Sequence, residues 1–544
     1  MPLESITYRM KLPFPKKPAG MAVTDVDLDG EFEVFVAEFE GPNRILKYNK
    51  ESGYYFNIAE EDTPFESLKV EADKTLSVCA CDIDGDGIEE IYLHNSNQIQ
   101  GPSNTVWPDR LFKWHNATYI NILALPHNQA VTPAAGGQSV ACVDRHGEGM
   151  YSVIVTTFDS DGQGIIVGPL IGDDGHSDIV ITNTPSYFVG SSVFRHEGSN
   201  VLFMNNGDGT FVDIAHDTGV RDQDEFSTGV SVLDANGDGK LDLLYANWFG
   251  PNRLFILQAG HQSPSKFKSI LSSEFNLPAP TMTLLTADFD NDGQIEVFLG
   301  SASHMTVKLT ENSLFSMQND GENVTIIPIK MEASEMTSFP LLGVTIGDLN
   351  NDGLLELFAS YSVLGGQRTM FIFQSVHQGH NWIRFCPMTR QGAPARGAMV
   401  TIVLEDDREI MRVIGASCGY MCQSEPMAHF GLRNLTAVKM SVKWPDGHIL
   451  TKFLLRHDTN KSFSISYTGI IKEFVPKEND YKPVNMALRC SPEFKLHLLC
   501  IFLYAMDIVL VLFVTVSKHM KVIKMHRSSV QLNDFEKFHL HLKV

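Results

Sequence analysis

Apolar and polar positions follow one another along this chain in a recurring order: a short apolar run, a nine-residue acidic loop, a second short apolar run. The clear loops are DVDLDGEFE from Asp25, DIDGDGIEE from Asp82, DANGDGKLD from Asp234, DFDNDGQIE from Asp288 and DLNNDGLLE from Asp348. Neighbouring loops start 57, 54 and 60 residues apart, and the 152 residues between Asp82 and Asp234 leave room for two more units. Two degenerate copies stand there, DRHGEGMYS from Asp144 and DDGHSD ending at Asp178. The runs after the clear loops (Val34–Val36, Ile91–Leu93, Leu243–Tyr245, Val297–Leu299, Leu357–Ala359) are short and rich in β-branched or aromatic residues. Each loop is therefore predicted to join two strands. Units of this length made of short strands predict blades, and seven units predict an all-β, seven-bladed propeller over residues 1–378. A second signature follows each loop. Gly41-Pro42-Asn43-Arg44 returns as Gly250-Pro251-Asn252-Arg253, with weaker echoes at Asp109–Phe112, Ser199–Phe203 and Gln367–Phe371.

The acidic loops suggest a metal. Oxygen side chains stand at loop positions 1, 3, 5 and 9: Asp25, Asp27, Asp29 and Glu33; Asp82, Asp84, Asp86 and Glu90; Asp234, Asn236, Asp238 and Asp242; Asp288, Asp290, Asp292 and Glu296; Asp348, Asn350, Asp352 and Glu356. Carboxylates brought this close repel and raise one another's pKa. A hard cation removes that penalty, and an all-oxygen set selects Ca2+. Glycine at position 6 permits the sharp turn. An EF-hand would need a carboxylate at position 12. That position holds Val36, Leu93, Tyr245, Leu299 and Ala359, so the EF-hand is rejected. The bland alternative is that Asp, Asn and Gly merely make good turns. The two degenerate loops, with His146, Glu148 and Ser152 in one and Leu170 and Gly172 in the other, are expected to hold no tight cation.

Composition changes this picture little. Of 544 residues, 43% are hydrophobic and 20% charged, which excludes a disordered chain. The net charge of −22 makes nucleic acid a poor partner. Positions 1, 3, 5 and 9 of the five loops hold 18 of the 65 acids, so much of that charge has a local purpose. Eight cysteines are too sparse for a disulfide scaffold. Cys418 and Cys422 are spaced to bridge across a loop, whereas Cys142, Cys386 and Cys490 have no partner that spacing assigns. Met1–Gly20 has no apolar core of a secretory signal. Leu496–Val516 is a 21-residue apolar run interrupted by His497 and Asp507, and Lys518, Lys521, Lys524 and Arg527 follow it. A single membrane span over 496–516 is expected, after a linker over 469–495 and before a basic cytoplasmic tail over 517–544.

The loops and their Gly-Pro-Asn-Arg echoes resemble the FG-GAP or VCBS repeats of integrin-α-like propellers. Beyond them come Asn381-Trp382-Ile383-Arg384, Arg396-Gly397-Ala398, Gly419-Tyr420, Glu425-Pro426, His429-Phe430-Gly431-Leu432 and Trp444-Pro445-Asp446-Gly447. This series resembles the ASPIC/UnbV domain, here a small all-β domain over 381–468. The combination resembles the cartilage acidic protein family. The resemblance implies an extracellular Ca2+-binding glycoprotein of matrix or cell surface. It also implies an extracellular protein partner, a receptor or a matrix component. Secreted members begin with a signal peptide, so the start of this chain is read as a truncation. Four N-x-[ST] sequons, at Asn116, Asn323, Asn434 and Asn460, agree with export.

One catalytic pattern occurs, Gly415-Ala416-Ser417-Cys418-Gly419. A nucleophile elbow needs a helix directly after it. Pro426 stops one early, so a tight loop in a β domain is expected there instead. His429 is read as a packed, hydrogen-bonded core histidine. A non-catalytic binding module is the leading reading, and a glycan-active propeller enzyme, a polysaccharide lyase or hydrolase, is the alternative.

Overall fold

The computed structural model describes residues 3–474 except 12–14, 72, 98–106, 130–132, 134–135, 158–161, 173, 184–198, 224, 249, 259–263, 271–274, 276–279, 302–310, 320–323, 332–338, 364–366 and 377. The predicted linker (all but its first residues), the span over 496–516 and the tail lie outside these residues, as does the sequon at Asn323. No helix among the described residues is long and apolar enough to cross a membrane. The chain divides into two compact units, Met1–Lys477 and Glu478–Val544, and every described residue belongs to the first.

Seven antiparallel sheets follow one another around a ring. Blade 1 has strands Pro18–Thr24, Glu33–Glu38, Arg44–Asn49 and Tyr54–Asn57, and blade 2 has Thr75–Cys81, Glu90–Asn95, Arg110–His115 and Thr118–Asn121. Blade 4 is Gly162–Gly168, Asp178–Asn183, Val201–Asn205 and Phe211–Asp213, and blade 5 is Ser227–Leu233, Asp242–Asn247, Arg253–Leu257 and Phe267–Ile270. Blade 6 is Thr281–Ala287, Ile295–Ser301, Ser313–Asn319 and Val324–Ile329. Blade 7 joins Leu341–Gly347, Glu356–Val363 and Gln367–Ser375 to the N-terminal strand Leu3–Ser5, which pairs antiparallel with Gln367–Ser375. The first strand of each blade packs on that of the next, and the first strand of blade 7 returns to blade 1. These inner strands are buried on both faces, which is why they read as continuous small and apolar runs.

Blade 3 departs from the four strands of the other six. It has two, Gly137–Val143 and Ser152–Thr157, and only residues 158–161 separate it from blade 4. A two-stranded sheet buries little by itself. A disulfide between Cys81 and Cys142 ties it to the first strand of blade 2. This corrects the cysteine reading, in which Cys142 had no partner and Cys418 could bridge Cys422. Both of the latter are free thiols. The Cys418 thiol donates to the Val344 carbonyl at 3.1 Å, and the Cys422 sulfur accepts from the Met21 amide at 3.3 Å. Removing the disulfide with Cys81→Ala and Cys142→Ala is expected to cost about 4 kcal/mol, because the bridge closes a long loop in the unfolded chain. Urea unfolding of the double variant checks this.

The Gly-Pro-Asn-Arg signature has a local structural role. Asn43 accepts the Glu38 amide at 3.0 Å and donates to Leu68 in the next connection at 3.2 Å. Asn252 repeats both bonds with Asn247 at 2.9 Å and Phe275 at 3.1 Å. The asparagine thus closes the turn between second and third strands and pins the segment that leads to the next blade.

After blade 7 the chain forms two four-stranded sheets. One orders Ala428–Arg433, Asn381–Pro387, Ser462–Ile465 and Ile471–Glu473; the other orders Glu409–Val413, Met399–Leu404, Ala437–Lys443 and Ile449–Phe453. Their facing sides share a core of Phe385, Val400, Ile402, Phe430, Met440, Val442 and Trp444. The segment 415–424 leaves these sheets and enters the centre of the ring. Gln423 exchanges backbone bonds with Met21 and Val23 of blade 1 and side-chain bonds with both backbone groups of Ala80 in blade 2. Ala416 accepts from Cys142 in blade 3, and Gly419 accepts from Ile165 in blade 4 at 3.1 Å. Thr345 of blade 7 donates to the Gln423 carbonyl at 2.9 Å. A segment that bonds mid-strand to the inner strands of five blades lies on the ring axis, so it plugs the central channel.

Candidate metal centres

The five acidic loops join first to second strands, as predicted, and each folds in the same way. The position-6 glycines have φ of 77–90° and donate their amides to the position-1 aspartates. The pairs are Gly30–Asp25, Gly87–Asp82, Gly239–Asp234, Gly293–Asp288 and Gly353–Asp348, at 2.8–3.0 Å. The position-9 acids Glu33, Glu90, Asp242, Glu296 and Glu356 accept the position-2 amides of Val26, Ile83, Ala235, Phe289 and Leu349 at 2.8–2.9 Å. The position-5 acids Asp29, Asp86, Asp238, Asp292 and Asp352 accept the position-7 amides. The acids are therefore turn formers as well as candidate ligands. The position-5 acids and the four position-9 glutamates spend one oxygen on the backbone, whereas Asp82, Asp234, Asp242, Asp288 and Asp348 accept backbone amides on both.

Three loops bring three carboxylate oxygens within 4.8 Å of one another: Asp25, Asp27 and Asp29; Asp82, Asp84 and Asp86; Asp288, Asp290 and Glu296. The Asp25 Oδ1 and Asp84 Oδ1 atoms are buried with no hydrogen-bond partner. Burial, followed by neighbouring carboxylates, pushes Asp25 and Asp288 up to about 7, and Glu90 up to about 8. Burial first, opposed by backbone donors, puts Asp82 at about 6 and Asp242 at about 7. Asp348 rises to about 7, and Glu33, Glu296 and Glu356 rise well above the usual range, again through burial first. An all-oxygen, mutually repelling, partly orphaned set fits a hard cation such as Ca2+.

Sequence reasoning missed the groups that face these loops from the third strand. In blade 1, Lys47 Nζ lies 2.8 Å from Asp27, 2.8 Å from Asp29 and 2.7 Å from Glu33. In blade 2, Lys113 Nζ lies 2.6 Å from Asp84 and 3.0 Å from Glu90, and it also bonds Asp86. In blade 7, the Gln374 amide donates to Asp352 at 3.0 Å and Glu356 at 3.2 Å, while Asn350 donates to Glu356 at 2.7 Å. The corresponding residues are Ser316, paired with Glu296 in blade 6, and Ile256, one step beyond the Leu243–Phe255 pair in blade 5. A signal was present: each lysine stands three residues after the signature arginine, in Arg44-Ile45-Leu46-Lys47 and Arg110-Leu111-Phe112-Lys113.

The degenerate loops use their remaining acids on the backbone. Asp144 accepts the Glu148 and Gly149 amides, and Asp178 accepts those of Leu170, Ile171 and Asn205. The C-terminal sheets cover the acidic loops of several blades. Gly431 donates to Asp288 at 3.1 Å, His429 bonds Asn291 at 2.6 Å, and Arg384 reaches Asp348 at 2.9 Å. His429 is thus a packed core histidine, stacked on Trp382. Ser417, the one serine in a nucleophile-like pattern, is buried in the plug and donates to the Ile165 carbonyl at 2.7 Å. The sequon residues Asn116, Asn434 and Asn460 are exposed.

A ring of sheets opening on acidic loops, joined to a domain built from these C-terminal motifs, defines a class of protein: FG-GAP-like repeats followed by an ASPIC and UnbV domain. The FG-GAP-like repeat family matches residues 172–245, 234–299 and 288–359, and the ASPIC and UnbV family matches residues 388–468. The chain is 34% identical over 527 residues to Cartilage acidic protein 1 of Xenopus tropicalis, covering 88% of this chain and 77% of that one. It is 34% identical over 521 residues to Cartilage acidic protein 1 of Homo sapiens, covering 87% and 75%. It belongs to the cartilage acidic protein family. Among solved structures, an exotype rhamnogalacturonan lyase is similar with 11% identity, 69% of this chain and 75% of that chain covered, and a TM-score of 0.32. That score is too low to carry an argument about activity.

Proposed function

We propose that this chain is an extracellular, calcium-binding glycoprotein of matrix or cell surface that acts as a non-catalytic protein-binding module. Its partner is a cell-surface receptor or a matrix component, and Ca2+ stabilises an integrin-α-like propeller. The observation that carries the reading is the five-fold repetition of one oxygen-rich loop with buried, mutually repelling carboxylates. The Cys81–Cys142 disulfide agrees with an oxidising compartment. The exposed sequons agree with export, and the relatives are named for cartilage. A binding role is favoured because the only catalytic-looking serine is spent on plugging the ring. The C-terminal sheets cover acidic loops, so the partner is read onto the opposite loop face.

Thermal melts of the full chain in millimolar Ca2+ and in chelator test the metal. The loop carboxylates have raised folded pKa values. In chelator their contribution is therefore fully present below about pH 4 and is lost as pH rises toward about 7. Ca2+ binds the ionised carboxylates, so its stabilisation grows over the same range. The expected result is a melting temperature that falls with pH in chelator and a gap to the Ca2+ sample that widens from pH 5.5 to 7.5. Identical melts in both buffers at pH 7.5, with no Ca2+ bound by calorimetry, would make the acids turn formers only.

A further inference from the structure

We infer that two copies of this chain pair through the edge strand Ile449–Phe453 of the C-terminal domain, joining two four-stranded sheets into one of eight about a two-fold axis. The inference goes beyond the calcium reading and does not depend on it.

Nine large apolar side chains are exposed among the described residues, and five of them, Val438, Ile449, Phe453, Leu455 and Ile470, fall within residues 438–470. Ile449 is 58% exposed, Phe453 84% and Leu455 59%. Apolar residues gathered in this way mark a contact surface, whereas single scattered ones do not. The strand is the last in its sheet, beside Ala437–Lys443. Leu454 donates to Val438 and Trp444 donates to His448, so in the same register Leu450 and Lys452 are the residues bonded to the inner neighbour. The backbone N–H and C=O groups of Ile449, Thr451 and Phe453 therefore point outward, and no described residue bonds to them. Such an edge is a template for another strand.

This edge is complementary to itself. Antiparallel pairing centred on Thr451 satisfies the outward groups of both copies. It sets Thr451 opposite its symmetry mate, Ile449 opposite Phe453 and Leu450 opposite Lys452. Aromatic–β-branched and Thr–Thr pairs are favourable cross-strand neighbours. The charges fit as well. Within each sheet Lys439 stands beside Phe453, and Lys443 beside Ile449. In the pair these lysines lie outboard, with three strand spacings, about 14 Å, between those in one row, beyond the screening length at physiological salt. Centring on Lys452 instead sets two lysines face to face, and centring on Leu450 carries Phe453 past the end of the partner strand.

Sedimentation velocity of the full chain, in mild detergent because of the apolar run over 496–516, measures the pairing. One short strand contact is small beside a standard interface, so a dimer that dissociates at micromolar protein is expected. Phe453→Lys adds a charge beside Lys439 at an exposed position, and Thr451→Pro removes an outward N–H that the sheet itself does not use. Each is expected to weaken pairing by about tenfold or more, with the melting temperature of the monomer unchanged. Thr451→Cys, treated with oxidised glutathione, is expected to give a disulfide-linked dimer above the wild-type level, because Cα atoms in such a pair lie about 5.5 Å apart. Lys452→Cys, which faces Leu450, is expected to give none above that level. A wild type that stays monomeric across the micromolar range overturns the inference. So does a dimer that Phe453→Lys and Thr451→Pro leave intact, or equal cross-linking of the two cysteine variants. If the lysine and proline variants do not fold, the cysteine variants decide.

Discussion

Arg396→Met is expected to cost the fold about 3–5 kcal/mol, the range for removing one partner of a buried ion pair. The Arg396 guanidinium is fully buried where the C-terminal sheets meet the ring. Its Nε lies 2.6 Å from Glu89 Oε1 and its Nη2 3.2 Å from Glu89 Oε2, at the loop of blade 2. Remaining donors reach the carbonyls of Gly415 at 3.0 Å, Ser424 at 3.3 Å and Val23 at 3.2 Å. One side chain therefore ties together the ring, the base of the plug and the C-terminal domain. Methionine fills similar volume but takes the guanidinium away from the buried Glu89 side chain, which keeps the Thr24 hydroxyl at 2.7 Å. Urea unfolding measures the cost. Arg253→Met, which breaks the partly exposed pairs with Asp222 and Glu225, serves as the comparison and should cost about 1 kcal/mol or less. Equal costs for the two variants would mean that burial does not decide the strength of the Arg396 pair. Asp348 and Glu425 around Arg384 repeat the arrangement at blade 7, so Arg384→Met should behave like Arg396→Met.

Gly419→Ala is expected to destabilise by about 2–5 kcal/mol, from left-handed backbone strain plus overpacking. Gly419 has φ of 81°, and a Cβ there would lie 1.8 Å from the carbonyl oxygen of Val230 on the inner strand of blade 5. The obstacle is backbone in a central strand, which has no rotamer to give way. The plug would have to withdraw, losing the Ile165–Gly419 bond. Gly53→Ala isolates the conformational part. Its φ is 72°, and the nearest atom to a Cβ is the Tyr48 hydroxyl at 3.9 Å, so about 1–2 kcal/mol is expected. A differential-scanning melt of both variants separates the two effects. A Gly419→Ala loss no greater than that of Gly53→Ala would mean the plug seats loosely.

The ring was legible in the chain because each blade carries its own local code. The acidic loop makes its turn from bonds within nine residues, as with Gly30 to Asp25 and Val26 to Glu33. The flanking runs are strands because their residues are β-branched and apolar, and the asparagine of the second signature closes the next turn. Local bonds of this kind leave a fixed spacing in the sequence, so the repeat, the loop acids and the C-terminal motifs could all be read there. That blade 3 has two strands was not legible, because a missing outer hairpin leaves no motif, only a shorter gap. The Cys81–Cys142 bridge was hidden because its partners are 61 residues apart and meet only when inner strands of neighbouring blades pack.

The sequence by itself determined the strands, the loops and which oxygens each loop presents. Only the tertiary structure decided what stands opposite those oxygens. Lys47 faces Glu33, and Gln374 faces Glu356, through register between second and third strands. Whether a carboxylate cluster meets an ammonium, an amide or a hydroxyl is a cross-strand fact with no signature inside the loop itself. The same holds for Gly415–Gly419, whose small residues look like a catalytic elbow in the chain. They are small because six inner strands converge on the axis, where side-chain volume has nowhere to go.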